Sequence, residues 1–306
     1  MKRSDEAPTS APRTSSATAG RTAETAAFGD LLRTWRTTRR YTQLGLAEET
    51  QVSQRHLSFL ESGRARPSRE MVTHLALALG VPLREQNKLL VAAGYAPSYR
   101  ERDLKDADMA AIRQALDSTL QHHEPYPALV IDRQWNVVMH NAAVNRLIAL
   151  VGDPPAVWER VDPSGRQNLM RLTMHPDGLQ PLVADWSSTA AAILARLAFE
   201  VRANPANMGL RALLADLRSL PGVRGLENSS ITPASMEVPV LSLKLRSEGL
   251  TLELFSMICT FGAAMDLTAD ELRLELLFPS DETTALFLRT QQQKAAVRPA
   301  QSPGTG

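Results

Sequence analysis

Residues 41–63, YTQLGLAEETQVSQRHLSFLESG, read as two short helices separated by a tight turn. Thr42 is placed to cap the first helix, with Leu44, Leu46 and Ala47 on its inner side. Gln51-Val52 breaks the helical pattern, and Ser53 caps a second helix over about 54–62. In that helix Leu57, Leu60 and Glu61 share one face. Gln54, Arg55, Ser58 and Phe59 crowd toward the other, with His56 at its edge. Gly63 supplies the positive-φ stop.

A short helix with an apolar inside, donors and acceptors outside and arginines just beyond suits the major groove of DNA. The pattern from Tyr41 to Ser68, Y-T-Q-x-x-L-A-x-x-x-x-V-S-x-x-x-L-S-x-x-E-S-G-R-x-x-P-S, resembles the helix-turn-helix of the XRE/Cro family of bacterial and phage regulators. The resemblance implies an all-α, five-helix, lambda-repressor-like domain that binds double-stranded operator DNA. It places Gln43 where relatives anchor a phosphate and the neighbouring recognition residue, and Gln54 and Arg55 where base edges are read. The chemistry agrees, since Gln pairs with adenine and Arg with guanine in bidentate fashion. Phe59 is placed to pack on a thymine methyl, and Ser53, His56 and Ser58 complete the candidate contacts of that helix. Arg36, Arg64, Arg66 and Arg69 are phosphate candidates, which position a domain without reading sequence. One departure is Leu44-Gly45, where many relatives carry two glutamates. The reciprocal capping-box bond is then unavailable, and Gly45 costs roughly 0.5–1 kcal/mol of helix stability relative to Ala.

Around this stretch the periodicity predicts three further helices. The first, about 27–39, buries Phe28, Leu31, Leu32 and Trp35. The fourth, 68–79, ends at Gly80 before Pro82, and the fifth, 83–93, ends at Gly94. Residues 26–96 thus form one domain. Residues 1–25, rich in Ser, Thr, Ala and Pro without an apolar period, read as a disordered tail.

The chain has 306 residues, 43% of them hydrophobic, enough for two domains with real cores. Its net charge of +1 hides an asymmetry. Residues 26–96 carry 10 basic against 6 acidic side chains, whereas residues 97–285 carry 17 against 24. A basic module joined to an acidic one suits a protein of which only the first part meets polyanion. No run of about 18 apolar residues is present, so no membrane span is expected. The N-terminus lacks the apolar centre of a secretion signal. Cys259, the only cysteine, lies in an apolar run and reads as a buried, inert thiol of a reducing cytoplasm.

Beyond a linker at 97–106 a second resemblance begins. VPLREQNKLLVAAGYAPSY, HHEPYPALVIDRQWNVVMHNAA, Asp185-Trp186, LMRLTMHPDGL and CTFGAAMDLTADELRLELLFPSD together are similar to the MmyB-like subgroup of these regulators. That resemblance implies a PAS-like domain over 107–285 that senses a small, largely apolar ligand such as a fatty acid. The residue pattern is compatible. It predicts helices at 107–121, 141–151, 189–202 and 208–220. It predicts strands at 128–131, 137–139, 238–245, 250–261 and 272–278. Strands at both ends with helices between them make an α+β domain, an antiparallel sheet covered by helices. Residues 286–306 read as a second disordered tail.

Catalytic signatures are absent from the sequence: no Gly-rich phosphate loop, no cysteine pair and no HExxH. His122-His123-Glu124 is a weak metal motif, because adjacent histidines on a helix point about 100° apart. Neither an enzyme, a cofactor nor a metal is therefore expected. For the ligand, a carboxylate head would want a donor beside apolar neighbours. Asn141, Arg171 and His175 are the candidates, against the alternative that Arg171 pairs with an acid and His175 caps a turn. The whole reads as a cytoplasmic, homodimeric transcription regulator. The alternative is a second domain that only dimerises or binds a partner protein, without a small ligand.

Overall fold

The computed structural model describes residues 16–224, 226, 242–247, 249–261 and 266–297, with side chains from residue 27 onward. The chain forms two compact units that divide between Arg100 and Glu101.

The first unit is built from α1 (Ser16–Thr38), α2 (Gln43–Thr50), α3 (Gln54–Glu61), α4 (Arg69–Ala78) and α5 (Leu83–Ala92). Three hydroxyl caps start the middle helices. Thr42 Oγ1 accepts from Gly45 N at 2.9 Å, Ser53 Oγ from His56 N at 3.2 Å, and Ser68 Oγ from Met71 N at 3.1 Å. Each satisfies an amide that the helix itself leaves unpaired. Gly63, Gly80 and Gly94 follow α3, α4 and α5 at φ values of +70°, +55° and +82°. Phe28, Leu32 and Trp35 of α1 join Leu46, Leu57, Leu60, Leu75, Leu89 and Leu90 in one core. Gly29 lets α1 lie almost against the end of α3, since a Cβ there would meet Leu60 O and Glu61 O at 2.7 and 2.6 Å.

Helix α1 begins at Ser16, upstream of the expected start near residue 27. Its added residues, SATAGRTAETA, contain four alanines, the strongest helix former, set against Gly20 and three threonines, which favour helix less. The expected N-terminal tail therefore overlaps α1 from residue 16, and its first 15 residues lie outside those described.

The second unit contains α6 (Ala110–His122), β1 (Ala128–Ile131), β2 (Val137–His140), α7 (Ala142–Ile148), α8 (Pro154–Val161), α9 (Leu169–Met174), α10 (Trp186–Ala203) and α11 (Met208–Ser219). It continues through β3 (Ser242–Ser247), β4 (Leu250–Thr260), α12 (Leu267–Glu271), β5 (Arg273–Pro279) and α13 (Glu282–Val297). The five strands form one antiparallel sheet in the order β2-β1-β5-β4-β3. Side chains alternate between its faces. Ala128, Val130, Leu272 and Leu274 meet Leu116 and Leu120 of α6 on one side. Leu129, Ile131, Leu245, Leu252, Leu254 and Leu277 meet α7 to α11 on the other. Because both faces are covered, β1 is buried along its whole length and reads as a continuous apolar run.

Helices α8, α9 and α12 add to the expected elements, and two of those expected have other bounds at their ends. Helix α7 ends at Ile148 instead of Val151, and Leu150 and Val151 continue as a hydrogen-bonded turn. The C-terminal stretch expected to be a tail from 286 is helical to Val297. Its Ala and Gln residues favour helix, and Ala285 and Leu288 are buried. Thr284 Oγ1 accepts from Glu253 N at 2.9 Å, which anchors α13 to β4. Residues 298–306 of that expected tail, and 238–241 of the expected strand preceding β3, lie outside the described residues.

Candidate functional site

Helix α3 presents two unlike faces. Leu57 and Leu60 are fully buried, whereas Ser53, Gln54 and Arg55 are exposed and His56, Ser58 and Phe59 are half-buried. The Arg55 guanidinium lies 5.4 Å from the centre of the Phe59 ring, so the two side chains stack across one helical turn. This leaves the Arg55 fork and the Gln54 amide at the solvent end of the helix.

Glu61 closes the inner face. Arg36 donates from Nε to Glu61 Oε1 at 2.5 Å and from Nη2 to Oε2 at 3.0 Å, and Gln43 Nε2 donates to Oε2 at 2.8 Å. Arg33 adds a contact at 3.5 Å. Burial alone would push this carboxyl up. The hydrogen bonds from Arg36 and Gln43, with the charges of Arg36 and Arg33, outweigh it and hold Glu61 below the usual carboxylate range.

The arginines expected on phosphate separate into three situations. Arg36 is committed to Glu61 and to the Tyr41 carbonyl at 2.8 Å, with 11% of its side chain exposed, so it binds the fold together instead of facing a backbone outside. Arg66 donates to Ala93 O at 3.3 Å and lies over the Tyr95 ring. Arg69 donates to Ala96 O at 3.2 Å and Ser98 Oγ at 2.6 Å. Those two secure the segment after α5. Arg64, exposed just after the Gly63 stop, follows directly on α3.

In the second unit a cavity lies between the sheet and the helices. It measures about 60 Å³ as space for the centre of a water molecule, against the 10–15 Å³ that one water requires. Its walls are Leu129, Leu147, Ile193, Leu243, Leu254 and Leu277, with further apolar residues. Polar atoms come from Thr173, Thr189, Ser242, Ser256 and Glu275.

None of the three expected ligand residues lines it. Asn141 Oδ1 accepts from Ala128 N at 3.1 Å, and its Nδ2 donates to Leu120 O and Tyr126 O at 3.2 and 2.8 Å. Its amide is used up joining α6, β1 and the start of α7. Arg171 pairs with Asp216 at 2.6 Å and Asp162 at 3.6 Å. His175 Nδ1 accepts from Asp177 N at 3.1 Å, capping a turn. The weak metal motif also disperses: His122 contacts Ser118 O, His123 contacts Leu277 O, and Glu124 pairs with Arg146.

The residue missed in the sequence is Glu275. Its position in R-L-E-L-L-F gives the signal, for it shares the strand face of Leu277 and must point into the same core. Trp135 was missed as well. It is fully buried at φ +67°, donates from Nε1 to Glu200 at 3.2 Å, and lies under Arg196 at 4.6 Å.

Residues 112–290, more than half of the chain, match the model of the MmyB-like transcription regulator ligand binding domain. The chain belongs to the MmyB-like transcription regulators. A helix-turn-helix domain model matches residues 27–89, so this regulator joins a DNA-binding domain to a ligand-binding one. No curated protein matches the chain. Among solved structures, an RNA-binding light-oxygen-voltage receptor aligns with 92% of this chain and 65% of its own, at 14% identity and a TM-score of 0.23. This chain therefore spans less than two thirds of that receptor's length. No described helix of this regulator is long and apolar enough to cross a membrane.

Proposed function

We propose that this MmyB-like regulator binds operator DNA by laying α3 in the major groove, with Gln54 and Arg55 on base edges and Phe59 beside them. The observation that carries this reading is the exposure of Gln54 and Arg55 at the front of a helix whose rear, Leu57 and Leu60, is fully buried. Ser53, His56 and Ser58 flank the reading pair, Gln43 and Arg64 face phosphate, and Arg66 and Arg69 reach it only by leaving their carbonyl partners. The protein acts in the cytoplasm as a homodimer, its half-sites about 34 Å apart or a multiple of that.

The second domain senses a small, largely apolar molecule of the fatty-acid type, held in the cavity beside β4 and β5. An apolar enclosure with a few convergent polar groups is what such a site requires. The ligand changes operator affinity to the extent that it binds two arrangements of the dimer unequally.

Selection of bound sequences from a random duplex pool, followed by anisotropy titration at several salt concentrations, tests the DNA reading. A recovered two-fold repeat supports it. Recovery of no preferred sequence, with binding set by salt alone, would falsify it.

A further inference from the structure

The ligand cavity contains one carboxyl group, and nothing in the apolar wall accounts for it. Glu275 lies on the central strand β5 opposite Leu129 of β1 and Ile258 of β4. It is 6% exposed. The Ser256 hydroxyl, diagonal to it on β4, hydrogen-bonds the carboxyl, but Oε2 has no hydrogen-bond partner among the described residues. Arg196 and Glu200 are the charges that act on it. Neither lines the cavity. Arg196 stacks on Trp135 and reaches Glu200, and Glu200 also receives Arg273 and the Trp135 indole. A buried acceptor without a donor lowers the stability of the fold, and a leucine in its place would not.

We propose that Glu275 receives the polar head of the ligand, and that this head is an uncharged hydrogen-bond donor, a hydroxyl or an amide N–H, carried on an aliphatic body. The inference rests on the reading of this cavity as the ligand site, and it narrows the fatty-acid type to a fatty alcohol or amide. A free carboxylate here would set two acids side by side in an apolar enclosure, which can hold at most one negative charge between them. A hydroxyl or amide supplies the missing donor and brings no charge. The hydroxyls of Thr189 and Ser242 offer partners for the acceptor oxygen of the same head, whereas that of Thr173 already donates to Leu169 O at 2.9 Å.

The test uses three probes that differ only in their heads: 1-octanol, octanamide and sodium octanoate. Each is titrated calorimetrically at pH 7 into the full-length protein, its Glu275→Gln variant and its Leu243→Trp variant. The alcohol and amide are expected to bind the unaltered protein at least tenfold tighter than octanoate. Glu275→Gln, nearly isosteric and able to donate to a carboxylate, narrows that ratio to threefold or less. Leu243→Trp fills the cavity and weakens all three probes alike. Octanoate binding as tightly as octanol overturns the assignment of the head while leaving the cavity as the ligand site. Failure of all three probes to bind the unaltered protein overturns the cavity reading and the proposal with it. An apolar enclosure by itself favours an uncharged head, so an unchanged ratio in Glu275→Gln overturns the assignment to Glu275, and Glu275→Leu repeats the comparison if the glutamine variant does not fold.

Discussion

The guanidinium of Arg36 grips both carboxylate oxygens of Glu61, at 2.5 and 3.0 Å, and so ties α1 to the last residue of α3. Gln43 joins the same carboxylate from α2. The orientation of α3 is thus set by a buried ionic junction shared among three helices. Removing one partner of such a pair strands the other charge, at a cost of about 3–5 kcal/mol. Arg36→Ala is expected to destabilise the helix-turn-helix domain by that amount in urea unfolding. A loss below about 1 kcal/mol would mean that the junction is solvated.

The same junction gives the domain a pH dependence. Glu61 titrates below its unfolded value, so its contribution is fully present above the ordinary carboxylate pKa and is lost as pH falls through the lowered one. Unfolding midpoints of the wild-type protein and Glu61→Gln are expected to differ most at neutral pH and to converge in acid. A constant difference across that range would place the carboxylate's effect in packing alone.

Glu275 has the opposite sign. Burial pushes its carboxyl up, against the opposing effects of Arg196 and the Ser256 hydrogen bond, while Glu200 raises it further. A raised acid binds more protons folded than unfolded, so stability declines as pH rises from the ordinary carboxylate value through the raised one. Glu275→Gln is expected to melt at a higher temperature than wild type at neutral pH, with the gain vanishing in acid. Equal melting temperatures at pH 7 would argue that the carboxyl has found a donor.

Gly29→Ala probes the contact between α1 and α3 without touching any charge. The added methyl meets two carbonyl oxygens at 2.6 and 2.7 Å, and both are backbone, so a helix must shift. The expected cost is about 1–3 kcal/mol, as for other overpacked sites. Melting temperature read by circular dichroism checks it, and an unchanged value would show that α1 shifts freely.

On DNA, Arg55 and Arg64 are expected to behave differently. Arg55→Ala costs about 1–3 kcal/mol on the preferred operator and relaxes discrimination at one base position. Arg64→Ala weakens all sequences alike and lowers the salt slope by about one unit. If the two variants gave the same pattern on matched and mismatched duplexes, the division between reading and positioning would fail.

The helix-turn-helix unit was legible because its signals are local. Thr42, Ser53 and Ser68 cap helices within three residues of their own positions, and Gly63, Gly80 and Gly94 stop them at once. The outward placement of Gln54 and Arg55 follows from helical period alone. In the second unit, apolar runs bounded by turn residues exposed the hairpin of β1 and β2 and the cores of β4 and β5. The short helices α8, α9 and α12 left no period long enough to read.

Pairing between distant segments was not legible. Arg36 looked like any exposed arginine until α3 brought Glu61 to it across 25 positions. Asn141, Arg171 and His175 had the chemistry of a ligand site, but sheet and helix packing gave each a partner inside the fold. Glu275 sat in an apolar strand without announcing that its neighbours leave one oxygen free. Sequence alone determined the caps, the periods and the family pattern, because these depend on residues a few positions apart. Tertiary structure alone decided which charges are neutralised and which polar atoms face a cavity. Those outcomes depend on the distance and dielectric between groups far apart in the chain.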